Sequence, residues 1–333
     1  GISRIICRWQ RHIGFLEHAP DADLVAIVEP NPGADTHGVP RFDTLDTCLA
    51  ETPCDGLIIA TPNHLHVSQG LTAVAHGLPM LIEKPIASVA AEAETLIAAA
   101  KAQSVPILVG HHRRHNPRVA AAKAFLDTGG VGQVVAVDGK FWLYKPDDYF
   151  DQTWRREPGA GPVFINLIHD VDLLRHLCGE VAAVQAVLSQ AVRGHNVEDT
   201  AAILIEFESG ALGTFSASDT AVSPWSWEFT AKENPAYHHT PGAAYRSAGT
   251  DGALSVPDLI HWHHPDNNSW WAPIQNARLP AGPHDTFATQ LDHFLDVIDG
   301  APPLVSGEDA VKSLRVIEAV MTAAQTQRRC VLT

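Results

Sequence analysis

Apolar and polar positions alternate in blocks along the first third of the chain. Leu24-Val25-Ala26-Ile27-Val28, Gly56-Leu57-Ile58-Ile59-Ala60, Leu78-Pro79-Met80-Leu81-Ile82 and Ile107-Leu108-Val109 are short apolar runs that read as strands buried on both faces. Helical stretches fall between them over 45–51, 64–76 and 88–103, the last with Ser88 as N-cap and Glu92 and Glu94 near its positive end. Strand–helix alternation at this spacing predicts a doubly wound parallel sheet.

The pattern changes near Asn116-Pro117. After a helix over 117–127 and the Gly129-Gly130 turn, longer alternating strands are expected over 133–144, 181–192, 201–208 and 211–218. A helix over 163–177, apolar on one face, interrupts them. Residues 220–283 are rich in Pro, Trp, His and Gly and read as irregular connections with short strands. Helices over 285–299 and 308–327 close the chain. The expected organisation is α/β throughout: a parallel doubly wound domain over 1–116, then an α/β domain over 117–333 with a large, mostly antiparallel open sheet.

Composition narrows the function. The chain has 333 residues, with 23 basic against 38 acidic and a net charge of −15. No Lys or Arg block offers a phosphate-tracking surface, so nucleic acid is not an expected partner. No apolar run approaches the roughly 20 residues that span a bilayer, and no secretory signal is expected. Five scattered cysteines (Cys7, Cys48, Cys54, Cys178, Cys330) lack the close spacing of a zinc or redox motif, which favours reduced thiols in the cytosol.

The run Glu83-Lys84-Pro85 follows the apolar strand ending at Ile82. Parallel sheets bind ligands outside the carboxyl ends of their strands, so this charged pair emerges where a ligand lies, on a backbone restricted by Pro85.

Several further segments recur in order with it: Arg11-His12-Ile13, Leu24 to Pro30, Ala60-Thr61-Pro62-Asn63 with His66, Gly110 to Pro117, Ile168-His169-Asp170-Val171-Asp172, Glu198-Asp199-Thr200 and Gly249-Thr250-Asp251-Gly252. The ordered set resembles the Gfo/Idh/MocA family of NAD(P)-dependent oxidoreductases, which act mainly on sugars, cyclitols and related polyols. The resemblance implies a Rossmann domain, then an α/β domain whose open sheet mediates assembly into a dimer or tetramer. It implies cofactor contacts from Glu29, Thr61, Pro62, Asn63, His66, Glu83, Lys84 and Arg114. Glu29 matches the acid that binds the ribose hydroxyls; it would repel a 2′-phosphate, and no Arg follows in Pro30-Asn31-Pro32, so NAD is expected over NADP. Lys84 matches the lysine that contacts the nicotinamide ribose and the reacting hydroxyl, and His169 the proton acceptor; both are the expected catalytic residues, and both are expected to touch substrate. His112, Trp154, Arg155 and Asn166 are the remaining expected substrate contacts.

Two departures stand out. Many members carry Asp four residues before the active-site His; here Ile165 holds that place and Asn166 follows, a group that hydrogen-bonds but takes no proton. The glycine-rich loop should fall at residues 4–9, which read Arg4-Ile5-Ile6-Cys7-Arg8-Trp9 without a glycine. Small residues there would let backbone N–H groups approach a pyrophosphate, and Trp9 would obstruct helix packing. Three explanations are open: an altered reading frame over the first ten residues, a divergent loop, or lost dinucleotide binding. An unusual N-terminus on an otherwise intact enzyme is favoured, because the other motifs are complete.

The 19 histidines, densest at His261-Trp262-His263-His264 and around His111-His112, complete no metal-ligand pattern, and none is expected to hold a metal. The reading is therefore a cytosolic NAD-dependent dehydrogenase oxidising a secondary hydroxyl of a sugar, cyclitol or sugar acid. The alternative is a non-catalytic regulatory homologue that binds a dinucleotide or sugar on the same fold.

Overall fold

The computed structural model describes residues 2–7, 10–282 and 285–332. Two compact units divide the chain, one of Gly1–His115 with Asp285–Leu314, the other of Asn116–His284 with Arg315–Thr333.

In the first unit, strands β1 (Ser3–Cys7), β2 (Ala22–Val28), β3 (Arg41–Phe42), β4 (Gly56–Ile59), β5 (Met80–Ile82) and β6 (Ile107–Val109) form one sheet in the order β3-β2-β1-β4-β5-β6. Every neighbouring pair is parallel. Helices α1 (Gln10–Leu16), α2 (Leu45–Glu51), α3 (His66–Ala75) and α4 (Ala90–Ala102) lie between the strands in sequence. All residues of β4, β5 and β6 are buried, as expected of apolar strands covered on both faces. The order reverses between β1 and β4, which makes their carboxyl ends the switch point of the sheet.

Two local expectations are corrected. Arg4 to Cys7 are part of β1 rather than of a phosphate-binding loop: Ile5, Ile6 and Cys7 are buried and pair with both β2 and β4. The rest of that loop expectation falls on Arg8 and Trp9, which lie outside the described residues. Ser88 does not cap α4. Val89 occupies the cap position with extended backbone and no side-chain bond, because a cap must directly precede the first helical residue, and Ser88 is one place early.

The second unit opens with α5 (Pro117–Asp127), where Pro117 sits in the first turn and Asn116 accepts the Arg118 N–H at 2.9 Å. Then come β7 (Val134–Trp142), the paired helices α6 (Pro162–Ile165) and α7 (Leu167–Cys178), β8 (Val181–Ser189), β9 (Thr200–Phe207) and β10 (Leu212–Ser218). After α8 (Trp227–Thr230) follow β11 (Tyr245–Gly249), β12 (Ala253–Val256), β13 (Ile260–His263) and β14 (Gln275–Arg278).

Helix α9 (Thr286–Ile298) belongs to the first unit, the division falls inside α10 (Gly307–Thr326), and β15 (Cys330–Val331) ends the second. Its sheet has nine strands in the order β14-β13-β12-β11-β7-β10-β9-β8-β15, with β7 and β10 parallel and the other pairs antiparallel. Along β9 the residues alternate: Ala201, Ile203, Ile205 and Phe207 are buried while Leu204 is 53% exposed. Val187 and Leu212 are exposed in the same way, so the open face of the sheet carries exposed apolar side chains.

The segment 285–314, which the sequence reading leaves in the second domain, is compact with the first. Leu291 and Phe294 of α9 share a core with Ile5, Ile58 and Leu81, and Phe287 stacks on Phe15 of α1 at 5.7 Å.

Candidate functional site

In the first unit the sequence motifs converge on the turn after β5. Glu83 Oε1 lies 2.8 Å from His12 Nε2 on α1. Gly110, directly after β6, leaves room for this: a Cβ there would sit 3.1 Å from both the Glu83 backbone and its carboxylate. Burial alone would raise the Glu83 pKa, but the hydrogen bond and charge of His12, with Lys84 beside it, hold it below the ordinary carboxylate value. Glu83 is thus an anion held next to Lys84.

His66 is fully buried and ties two motif loops together. Its Nδ1 lies 2.8 Å from Pro85 O and its Nε2 2.8 Å from Thr61 O. Burial pushes its pKa down despite both carbonyls, and a neutral ring donates one N–H at a time. The side chain is therefore committed to bracing backbone. Thr61 Oγ1 donates to Gln69 Oε1 at 2.9 Å, Pro62 precedes a 3₁₀ turn that starts at Asn63, and Asn63 is half-buried.

At the end of β2, Glu29 Oε1 accepts the Asn31 N–H at 3.0 Å. Arg41 comes beside it from β3, donating to Glu29 O and, at 2.6 Å, to Asp43. A pocket at the carboxyl ends of β1, β2 and β4 is lined by Cys7, Val28, Ile59, Thr61 and Gln69. An acid at the β2 terminus and a cation at the β5 terminus, on either side of the switch point, suit the adenosine and nicotinamide ends of a dinucleotide. At these two ends the residues fit NAD; Arg8 and Trp9 lie outside the described residues.

Two expected contacts pack against residues of the returning C-terminal segment. Arg114 is buried and paired with Asp309, and the ring of His112 stacks on Phe287 at 4.4 Å.

A second cluster forms in the other unit, around the joint between α6 and α7. Every residue of helix α7 except His176 is buried, including His169, which is 8% exposed. Asn166 sits at the joint, and its main-chain O accepts the His169 N–H at 3.1 Å. The Asn166 side chain accepts a hydrogen bond from Lys145 Nζ at 2.9 Å.

Lys145 reaches this point because the parallel β7/β10 pairing continues past both strands: Leu143 N bonds Ser218 O and Lys145 N bonds Asp219 O. Asp219 is held by Arg193, whose Nε donates to Oδ1 at 2.8 Å, and its Oδ2 is 3.9 Å from Lys145 Nζ. Burial pushes the Lys145 pKa down to about 8, against the pull of Asp219, Glu228 and Glu198, while Arg193 lowers it further.

The Glu198-Asp199-Thr200 run is spent on positioning. Glu198 accepts the Val163 N–H at 3.0 Å, and Gly161 is required beside it, since a Cβ there would come 2.1 Å from the carboxylate. Asp199 Oδ2 accepts the N–H groups of Val192 and Arg193, both at 3.0 Å. Arg155 lies 4.1 Å over the Tyr149 ring and donates to Tyr149 O at 2.7 Å. Trp154 is 54% exposed and bonds Gln152. His261 and His263 stack at 4.6 Å, and no group of three or more metal-ligating side chains occurs among the described residues.

Sequence reading missed His12 as the partner of Glu83, Arg41 beside Glu29, and Lys145 with Tyr149, Arg193 and Asp219. For Lys145 the available signal was a lysine following the aromatic Trp142-Leu143-Tyr144 end of a strand.

Comparison with known proteins bears on both units. Residues 1–111 match a model described as oxidoreductase family, NAD-binding Rossmann fold, and residues 119–236 match the GFO/IDH/MocA C-terminal domain. Levoglucosan dehydrogenase of Pseudarthrobacter phenanthrenivorans is 30% identical over 59% of this chain and 58% of its own length. The scyllo-inositol 2-dehydrogenase (NAD(+)) of Bacillus subtilis is 26% identical over 89% of this chain and 85% of its own. An oxidoreductase from Agrobacterium radiobacter, solved with NAD+, L-tartaric acid and magnesium, superposes with a TM-score of 0.81 at 18% identity. It covers 99% of this chain and 98% of that one, a likeness of fold. With a parallel sheet and a mostly antiparallel one in the expected order, and both domain models of one family matched, the chain belongs to the GFO/IDH/MocA oxidoreductases.

Proposed function

We propose that the protein is an NAD-dependent dehydrogenase that moves a hydride between nicotinamide and a secondary hydroxyl of a sugar, cyclitol or sugar acid. One observation carries this reading: Lys84 leaves the carboxyl end of β5 between two braced neighbours, Glu83 held by His12 and Pro85 held by His66. A lysine on a backbone held in this way projects its ammonium from a set point at the strand end, which suits stabilising a developing alkoxide.

Nicotinamide, when bound, supplies the hydride acceptor. Lys84 orients the hydroxyl and stabilises its oxygen as charge develops; His169 takes the proton; Asn166 and Arg155 hold other oxygens. Glu29 binds the ribose hydroxyls, and Thr61 to Asn63 seat the dinucleotide. His66 and Arg114 act from behind, through the backbone and Asp309. NAD is favoured over NADP because the Glu29 carboxylate opposes a 2′-phosphate, and Arg41 beside it is engaged by Asp43. The relatives' names, levoglucosan and scyllo-inositol dehydrogenase, support a polyol substrate.

We infer assembly through the open sheet face carrying Val187, Leu204 and Leu212, to be checked by sedimentation. The five free thiols support a reducing compartment.

The test is a titration with NADH and, in parallel, NADPH, following quenching of tryptophan fluorescence. Saturation by NADH at micromolar levels, with NADPH at least about tenfold weaker, is expected. Saturation by neither would overturn the dehydrogenase reading in favour of a sugar-binding regulatory homologue.

A further inference from the structure

Lys145 and Arg155 converge on one aromatic ring: Nζ of Lys145 lies 4.9 Å and the guanidinium of Arg155 4.1 Å from the Tyr149 centroid. Neither cation is closely neutralised. Asp219 gives Oδ1 to Arg193 and leaves Oδ2 at 3.9 Å from Lys145, while Glu198 is turned to the Val163 N–H. Arg155 pairs with no carboxylate among the described residues, and its buried Nε has no acceptor there.

The Asn166 amide completes the group. Lysine only donates, so the atom facing it is the amide oxygen, and the Asn166 N–H groups are left to point elsewhere. Lys145, Arg155 and the Asn166 N–H groups thus offer donors, with the Asn166 oxygen already taken by Lys145. A hydroxyl brings a hydrogen that such a group cannot receive. A carboxylate brings only lone pairs and a negative charge, and it matches these cationic donors, the buried Lys145 and the half-buried Arg155, in both respects.

We propose that Lys145, Arg155 and the Asn166 amide form a carboxylate-receiving subsite, so that the molecule bound beside His169 is a sugar acid rather than a neutral polyol. The proposal deepens the dehydrogenase reading and rests on it for the role of that molecule as substrate. Lys145 acts partly through Asn166: its ammonium fixes which way the amide faces. Lys145 thereby chooses between substrate classes.

The experiment is calorimetric titration of matched aldonate and alditol pairs: D-gluconate with D-glucitol, D-galactonate with galactitol, and L-threonate with L-threitol. Each is run with and without NADH. At least one aldonate is expected to bind the native protein 10-fold or more tighter than its alditol, about the worth of one hydrogen bond to a charged group. Lys145→Met and Arg155→Gln should each remove about 10-fold or more of that affinity, and Lys145→Arg should restore most of it. Arg155 is half-buried, so Arg155→Gln keeps the test open if Lys145→Met does not fold.

No aldonate preference in any pair, including binding of neither member, overturns the subsite; so does a preference that survives both variants. Aldonate binding with no NADH formed when each probe is mixed with the protein and NAD+ overturns the dehydrogenase reading and leaves the subsite standing. Turnover of alditols with no aldonate preference does the reverse.

Discussion

Charged groups in the two units are held in place by different means. In the first, the neighbours of Lys84 are held from two helices: His66 of α3 reaches the main-chain carbonyls of Thr61 and Pro85, and His12 of α1 reaches the carboxylate of the adjacent Glu83. In the second, Lys145 is held by side chains from other elements, Asn166 at 2.9 Å and Asp219 at 3.9 Å, the latter itself held by Arg193. Main-chain anchoring fixes a position whatever the surrounding side chains become. Side-chain anchoring lets a few substitutions change which ligand atoms are met. The first arrangement suits a step shared by many substrates, the second a choice among them.

The largest expected effect tests the first arrangement directly. Lys84→Ala should lower kcat/KM by about 10³-fold or more while the NADH dissociation constant changes little, by steady-state kinetics beside fluorescence titration. Near-native turnover would remove Lys84 from the mechanism.

Next is the brace. His66→Leu removes the one hydrogen bond that the neutral ring donates to a loop carbonyl, at a cost of about 1–3 kcal/mol, so the urea midpoint should fall and kcat/KM should fall with it. A variant that loses stability yet keeps native kcat/KM would show that His66 supports the fold alone.

Two smaller effects contrast the units through pH. Glu83 is held below its unfolded value of about 4.3, so it contributes stability above that pH, lost as pH falls through its folded pKa. Glu83→Gln should flatten this acid limb in denaturant titrations. Lys145 is the opposite case. Its pKa of about 8 lies below the unfolded value of about 10.4, so between these values the unfolded chain binds more protons and stability rises with pH. Burial sets this shift, Arg193 adds to it, and Asp219, Glu228 and Glu198 oppose it, while Asn166 and the Tyr149 ring also face the ammonium. Lys145→Met should abolish the alkaline rise, and a rise that persists would assign it to another group.

The contrast also explains what could be read from the sequence. Strands β4 and β6 were legible because each is a short apolar run buried on both faces, and Glu83-Lys84-Pro85 was legible because its place after β5 follows from local order. Strand β1 was not, since Arg4 and Cys7 break the apolar pattern and a family loop was expected over the same residues. Ser88 misled because cap geometry, not residue type, decides where a helix starts. Lys145 was invisible as a site residue: Asn166, its hydrogen-bond partner, is 21 residues away, and Asp219 reaches it only through the β7/β10 register. Arg41 was missed for the same reason, brought to Glu29 by β2/β3 pairing.

The return of α9 to the first unit has a consequence for biosynthesis. Domains generally fold as units as they leave the ribosome, at roughly 5–20 residues per second. Here the first unit lacks Leu291 and Phe294, which share a core with Ile5, until the last sixth of the chain is made. The nascent parallel sheet must therefore wait on the order of 10 s or more with that side uncovered, while the whole of residues 116–284 is translated. Chaperone engagement with the emerging chain should concentrate in that interval.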